Sequence, residues 1–172
     1  GGAGGAGGAG AADAEEAPQV SELGYALWAE NRVERPALGA GLLTALGQAV
    51  LRDGATEPPH SRVQADGSAW PNAGRPAGGP HARAGMYVSP LSGAPLLSTD
   101  DEIGLGASGW PAFYMPGDGG GGGGARRRQH LRTADDWSTG SRRTELLDAT
   151  SGGHLGHVGT CVDGQLCVNG AA

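Results

Sequence analysis

The chain has 172 residues, room for one ordinary domain, and its 35 glycines, 11 prolines and 5% aromatic content leave few large side chains to fill a core. A formal charge of −6, with arginine as the only basic residue besides histidine, argues against general nucleic-acid binding. Two cysteines exclude a disulfide scaffold, and no apolar run approaches the roughly 18 residues of a membrane span.

Residues 1–11 repeat Gly-Gly-Ala and bury too little surface to offset their ordering entropy, so 1–20 reads as a disordered Gly/Ala tail. The chain starts at Gly1 with no signal-peptide pattern, so its true N-terminus is expected to be missing. A soluble protein is expected, cytoplasmic or organellar, with the compartment left open. From Ser21 the composition turns globular. Leu38, Leu42, Ala45, Leu46, Ala49 and Val50 recur at helical spacing, predicting a helix over 37–52 that Asp53-Gly54 ends. Residues 21–63 thus form a helical N-terminal segment.

Residues 64–85 hold mostly Gly, Pro and Ala and read as a flexible insertion. Met86-Tyr87-Val88 predicts a short strand stopped at Ser89-Pro90. A second poor stretch runs from Pro116 to Gly124 and contains six consecutive glycines, and the following Arg126, Arg127 and Arg128 read as a solvated loop. Short apolar runs at 145–148, 154–158 and 165–169 predict strands joined by glycine turns. The core is expected over 86–172.

His154, His157, Cys161 and Cys167 fall within fourteen residues. Three chemistries fit them. A thiolate at Cys167 with a histidine nearby can act as a nucleophile, and Cys161 can trap its oxidised form if a turn brings the two together. Asn169, two residues on, falls on the same strand face as Cys167. The four side chains could instead form a small metal-binding module, though their spacing is irregular. They could also be buried thiols and satisfied histidines with only structural roles.

Gly54-Ala55-Thr56-Glu57-Pro58-Pro59, YVSPLSGAPL over 87–96, Ser108-Gly109-Trp110-Pro111-Ala112-Phe113, Arg143-Thr144-Glu145, His154-Leu155-Gly156-His157-Val158 and Cys167-Val168-Asn169-Gly170-Ala171-Ala172 occur in that order. Together they resemble the B-type methionine sulfoxide reductases, which act on the R epimer. The resemblance implies a mainly β fold, two small antiparallel sheets in a β-tent-like arrangement, with the helical N-terminal segment and Gly/Pro-rich insertions added. It implies thiol-dependent reduction of methionine-R-sulfoxide, free or in oxidised proteins, through a cysteine sulfenic acid. Catalytic roles then fall to Cys167 as nucleophile, His157 as proton source, Asn169, and Cys161 as the internal candidate for resolving thiol. Trp110, His154 and Phe113 would bind substrate.

No bound organic cofactor is implied. Thioredoxin or another dithiol would be the reductant and partner, with no nucleic acid and no membrane. Structural zinc is not expected, because the family's two Cys-x-x-Cys pairs correspond here to Ser89 and Ser92 and to about Asp148 and Ser151. The family's usual resolving cysteine position is Ser108. Gln165 stands where an arginine is usual, the segment from His157 to Cys167 is about four residues short, and the chain ends before the apolar residues that usually close the domain. The alternative reading is therefore a non-catalytic drifted relative, or the His/Cys metal-binding module.

Overall fold

A computed structural model describes residues 19–27, 41, 43–61, 63–70, 85–105, 108–118, 123–161 and 164–172. Residues 1–18 of the expected tail lie outside these residues, as do 71–84 of the expected insertion, Leu38 and Leu42.

The fold is mainly antiparallel β, as expected. Among the described residues ten strands form one six-stranded sheet and two two-stranded ladders. β1 (Gln19–Val20) pairs with β2 (Ala26–Leu27), and β3 (Met86–Val88) pairs with β4 (Pro95–Ser98). The large sheet contains β5 (Glu102–Leu105), β6 (Pro111–Phe113), β7 (Leu131–Asp136), β8 (Arg143–Asp148), β9 (His154–Val158) and β10 (Leu166–Val168). Their spatial order is β5-β6-β10-β9-β8-β7.

Helix α1 (Ala45–Asp53) is shorter at its start than the expected 37–52. Leu43 and Thr44 are not helical, and the Thr44 side chain accepts the Gly47 N–H at 3.1 Å, so the cap at Thr44 overrides the apolar spacing that runs further back. The other end agrees with the sequence. Gly54 takes the left-handed conformation (φ 67°), and the Ala55 N–H closes on the Ala49 carbonyl at 3.0 Å. Val50 and Leu51 are fully buried, and the helix lies against β9.

The arginine run departs from its expected solvated loop. It forms a short helix, α2 (Gly124–Arg128), in which Arg126 and Arg128 are exposed and Arg127 is buried. The Arg127 guanidinium bonds Asp101 at 2.8 Å and donates to the Ser98 hydroxyl at 3.2 Å. A charge so far from water is tolerated only with such a partner. Nothing local in the arginine triplet announces Asp101, 26 residues earlier.

One face of the large sheet carries the core. Phe113, Leu166 and Val158 align across β6, β10 and β9, and Leu146, Gly156 and Val168 align across β8, β9 and β10. Tyr87 of β3 and Trp70 pack onto this face, stacked on each other at 4.7 Å and edge-on to Phe113 at 5.5 and 6.3 Å. Scarce aromatics are thus concentrated at one point, where each buries more area than an aliphatic residue.

The segment before α1 is tied to this body through His130, which is fully buried. Its Nδ1 lies 2.8 Å from the Pro95 carbonyl and its Nε2 lies 2.9 Å from the Ser21 hydroxyl. Tyr25 packs edge-on against the imidazole and donates its hydroxyl to the Gly93 carbonyl.

Candidate active site

The other face of the sheet carries the chemistry. Ala112, Cys167, His157, Glu145 and Ala134 lie directly opposite one another across β6, β10, β9, β8 and β7. Opposed residues in antiparallel strands project to the same side, so Cys167, His157 and Glu145 share a surface. Asp136 and Arg143 are themselves paired, two residues along from Ala134 and Glu145, and fall on that surface too.

His154 and His157 are three residues apart, which in a regular strand would put them on opposite faces. A bulge where β9 meets Leu146 and Leu147 restores them to one side. Their rings stand edge-on with centroids 5.3 Å apart. Between them, Gly156 lies so close under β10 that a side chain there would run into the Cys167 carbonyl.

Each histidine has its own carboxylate. His157 Nε2 lies 2.8 Å from Asp136 Oδ2, and His154 Nδ1 lies 2.6 Å from Glu145 Oε1. Asp136 is held well below the usual carboxylate range, chiefly by the Ser138 N–H and hydroxyl and further by His157. Arg143 also donates to Asp136 Oδ2, at 2.6 Å. Burial lowers the pKa of His157, the bond to Asp136 pulls it up, and the neighbouring Arg143 and His154 lower it further. With Nε2–H donated to Asp136, Nδ1 is left as the nitrogen that can exchange a proton with a ligand.

Cys167 and Cys161 are joined in a disulfide, with Cα atoms 5.4 Å apart. Cys167 is 7% exposed, while Cys161 is more accessible. Ser108 stands over the pair, its hydroxyl 2.9 Å from Cys161 Sγ and 4.0 Å from Cys167 Sγ.

Trp110 is partly exposed, and its indole N–H donates to the Glu57 carbonyl at 3.1 Å. Both ends of the Asn169 amide are engaged: Oδ1 accepts the Glu57 N–H and Nδ2 donates to the Leu155 carbonyl. Phe113 is a correction to the expected substrate contacts. It is fully buried in the aromatic cluster of the core face, because strand alternation turns it away from Cys167 and puts Ala112 there instead.

Glu57 emerges as an anchor. Its buried carboxylate accepts from Ser61 Oγ at 2.6 Å, from the Ala171 N–H at 3.2 Å and from the Gly170 N–H. Through its own backbone it also holds Trp110 and Asn169. His60, one turn on, donates its N–H to the Gly109 carbonyl at 2.9 Å. The segment at 57–60 therefore fixes both the Ser108–Trp110 turn and the chain beyond Cys167.

Ser89, Ser92, Asp148 and Ser151 form a separate polar knot. Asp148 Oδ2 accepts from Ser92 Oγ at 2.8 Å and Ser151 Oγ at 2.6 Å, and Oδ1 accepts the Thr150 N–H at 2.8 Å. Among the described residues no group of three or more His, Cys, Asp or Glu side chains is arranged to hold a metal ion. None of the described helices is long and apolar enough to cross a membrane.

Residues 43–172 match the family model described as the SelR domain. The chain is also 43% identical over 75 residues to the peptide methionine sulfoxide reductase MsrB of Leptospira interrogans serogroup Icterohaemorrhagiae serovar Lai, strain 56601. That alignment covers 43% of this chain and 49% of the relative, so it spans about half of the protein it matches.

Proposed function

This chain belongs to the SelR domain family, and on that premise we propose that it is a peptide-methionine (R)-S-oxide reductase, reducing methionine-R-sulfoxide to methionine in oxidised proteins. The observation that carries this reading is the pairing of Cys167 with His157 across two strands while Cys161 is bonded to Cys167.

In the proposed reaction the Cys167 thiolate attacks the sulfoxide sulfur. His157, as imidazolium, gives a proton to the oxygen while Asp136 holds its far nitrogen and balances its charge. Methionine leaves, and Cys167 becomes a sulfenic acid. The Cys161 thiol then attacks the Cys167 sulfur, expelling water and forming the disulfide. A dithiol such as thioredoxin returns both thiols. Trp110 supplies an aromatic face for the substrate methyl group, and His154 with Glu145 forms the polar wall beside it. Asn169 acts by holding the end of β10. The reacting groups lie in residues 86–172, and residues 43–63 supply anchors. No bound cofactor is needed, since the electrons pass from thiol to thiol.

The test is dithiothreitol-driven turnover of separated R and S epimers of a methionine sulfoxide peptide. Reduction of the R epimer alone, abolished by Cys167→Ser, is the expected result. No turnover by a folded protein overturns the reading. Cys161→Ser is expected to keep dithiothreitol-driven turnover and to lose thioredoxin-driven turnover.

A further inference from the structure

Ser108 has no part in the scheme above, yet its hydroxyl reaches both sulfurs, 2.9 Å from Cys161 and 4.0 Å from Cys167. Its place is fixed from outside. The next residue, Gly109, is held by the His60 N–H at 2.9 Å, and Trp110 is held by the Glu57 carbonyl at 3.1 Å. Gly109 is in the left-handed region (φ 85°), and a side chain there would meet the His60 ring at 2.6 Å. The turn therefore has little freedom to carry Ser108 away from the disulfide.

Closing that disulfide poses a proton problem. The Cys161 thiol must lose a proton as its sulfur attacks, and the hydroxide leaving Cys167 must gain one to depart as water. One nitrogen of each histidine is taken by a carboxylate, His154 Nδ1 by Glu145 and His157 Nε2 by Asp136, whereas the Ser108 hydroxyl is within hydrogen-bond reach of the Cys161 sulfur itself. A serine hydroxyl can accept and donate at once.

We infer that Ser108 is the proton relay of the resolving step. Its oxygen takes the proton of the Cys161 thiol while its own hydrogen passes to the departing hydroxide. The S–S bond forms, the S–O bond of the sulfenic acid breaks, one water leaves, and no outside acid, base or oxidant is needed. This rests on the reading of Cys167 as the residue that becomes a sulfenic acid.

The test separates the two. Fully reduced protein is mixed with one equivalent of hydrogen peroxide, which makes the sulfenic acid without any methionine sulfoxide. Disulfide closure is then followed by acid quench, alkylation and mass measurement, with dimedone to trap the sulfenic acid. Ser108→Ala is expected to slow closure about 100-fold, at the lower end of what a positioned proton-transfer group contributes. Ser108→Thr, which keeps a hydroxyl, is expected to close within about threefold of wild type, and added imidazole should speed the Ala variant more than wild type. Closure of Ser108→Ala at the wild-type rate, or a Thr variant as slow as the Ala variant, overturns the relay. If wild type closes its disulfide with peroxide but reduces no methionine sulfoxide, the functional reading fails and the relay stands.

Discussion

Asp136→Asn isolates the electrostatic partner of His157 with little change in shape. The amide keeps an oxygen that can accept from Nε2–H, now 2.8 Å away, but the negative charge is gone. Two unit charges about 4 Å apart interact by about 4 kcal/mol at an effective dielectric of 20 and about 1 kcal/mol in water. Arg143 shares the same carboxylate oxygen at 2.6 Å, and both side chains retain slight exposure, so a net loss near the lower figure is reasonable. About 1.4 kcal/mol corresponds to one pKa unit. Asp136 pulls the His157 pKa up against burial, so its loss lowers the pKa further. At pH 7 the imidazolium fraction then falls about fivefold, and with it the rate of the proposed proton transfer from His157 to the sulfoxide oxygen. The assay is single-turnover release of methionine from reduced protein between pH 5 and 8. The deficit should be largest near neutrality and should narrow as the pH falls. An unchanged rate, or a rate lowered by one constant factor at every pH, refutes the reasoning.

Further outcomes follow from the anchors. Glu57→Ala strips the acceptor from Ser61, Gly170 and Ala171 and should cost about 3 kcal/mol in denaturant unfolding, with the chain after β10 loosened. Gly156→Ala forces a methyl group against the Cys167 carbonyl, so single-turnover methionine release should fall more than tenfold while far-UV circular dichroism stays β-like. Asp148→Ala should destabilise by about 1 kcal/mol, by leaving half-buried donors without their acceptor, while the turnover of folded protein is retained; a chelator should leave the wild-type melting curve in place. Because the folded-state pKa of His157 lies below its ordinary value of about 6.5, the unfolded chain binds more protons in that range. Its contribution to stability is present above about pH 6.5 and is lost as the pH falls through the folded-state value, which a urea series at pH 5, 6 and 7 measures.

Much of the fold can be read from local pattern. Strands at 154–158 and 166–168 sit between glycine turns, and Asp53-Gly54 ends α1 where a left-handed residue is needed. What escapes local reading is whatever depends on a distant partner. Arg127 looks solvated until Asp101 arrives from 26 residues away. Phe113 and Ala112 are neighbours in one motif, and only pairing with β10 decides which of them faces Cys167. The four clustered residues His154, His157, Cys161 and Cys167 stand out by their chemistry, but the carboxylates that orient the histidines lie on β7 and β8. A period-two reading back from Glu145 would have put Arg143 on the same face. Asp136 carries no such signal, because it joins that face only across the hairpin. Two histidines three apart would also have been split between faces, since the bulge in β9 leaves no mark in residue type.

His130 is sealed by Ser21 and Tyr25, which lie upstream of the stretch matched by the family model, residues 43–172. The unit defined by kinship and the unit defined by packing therefore have different lengths. A recombinant version trimmed to the matched stretch would remove the hydroxyl bonded to His130 Nε2 and the ring that covers the imidazole. Water would reach a histidine that is completely enclosed in the longer chain. The small hairpin of β1 and β2 belongs to the working body of the protein, as a plug for its polar interior.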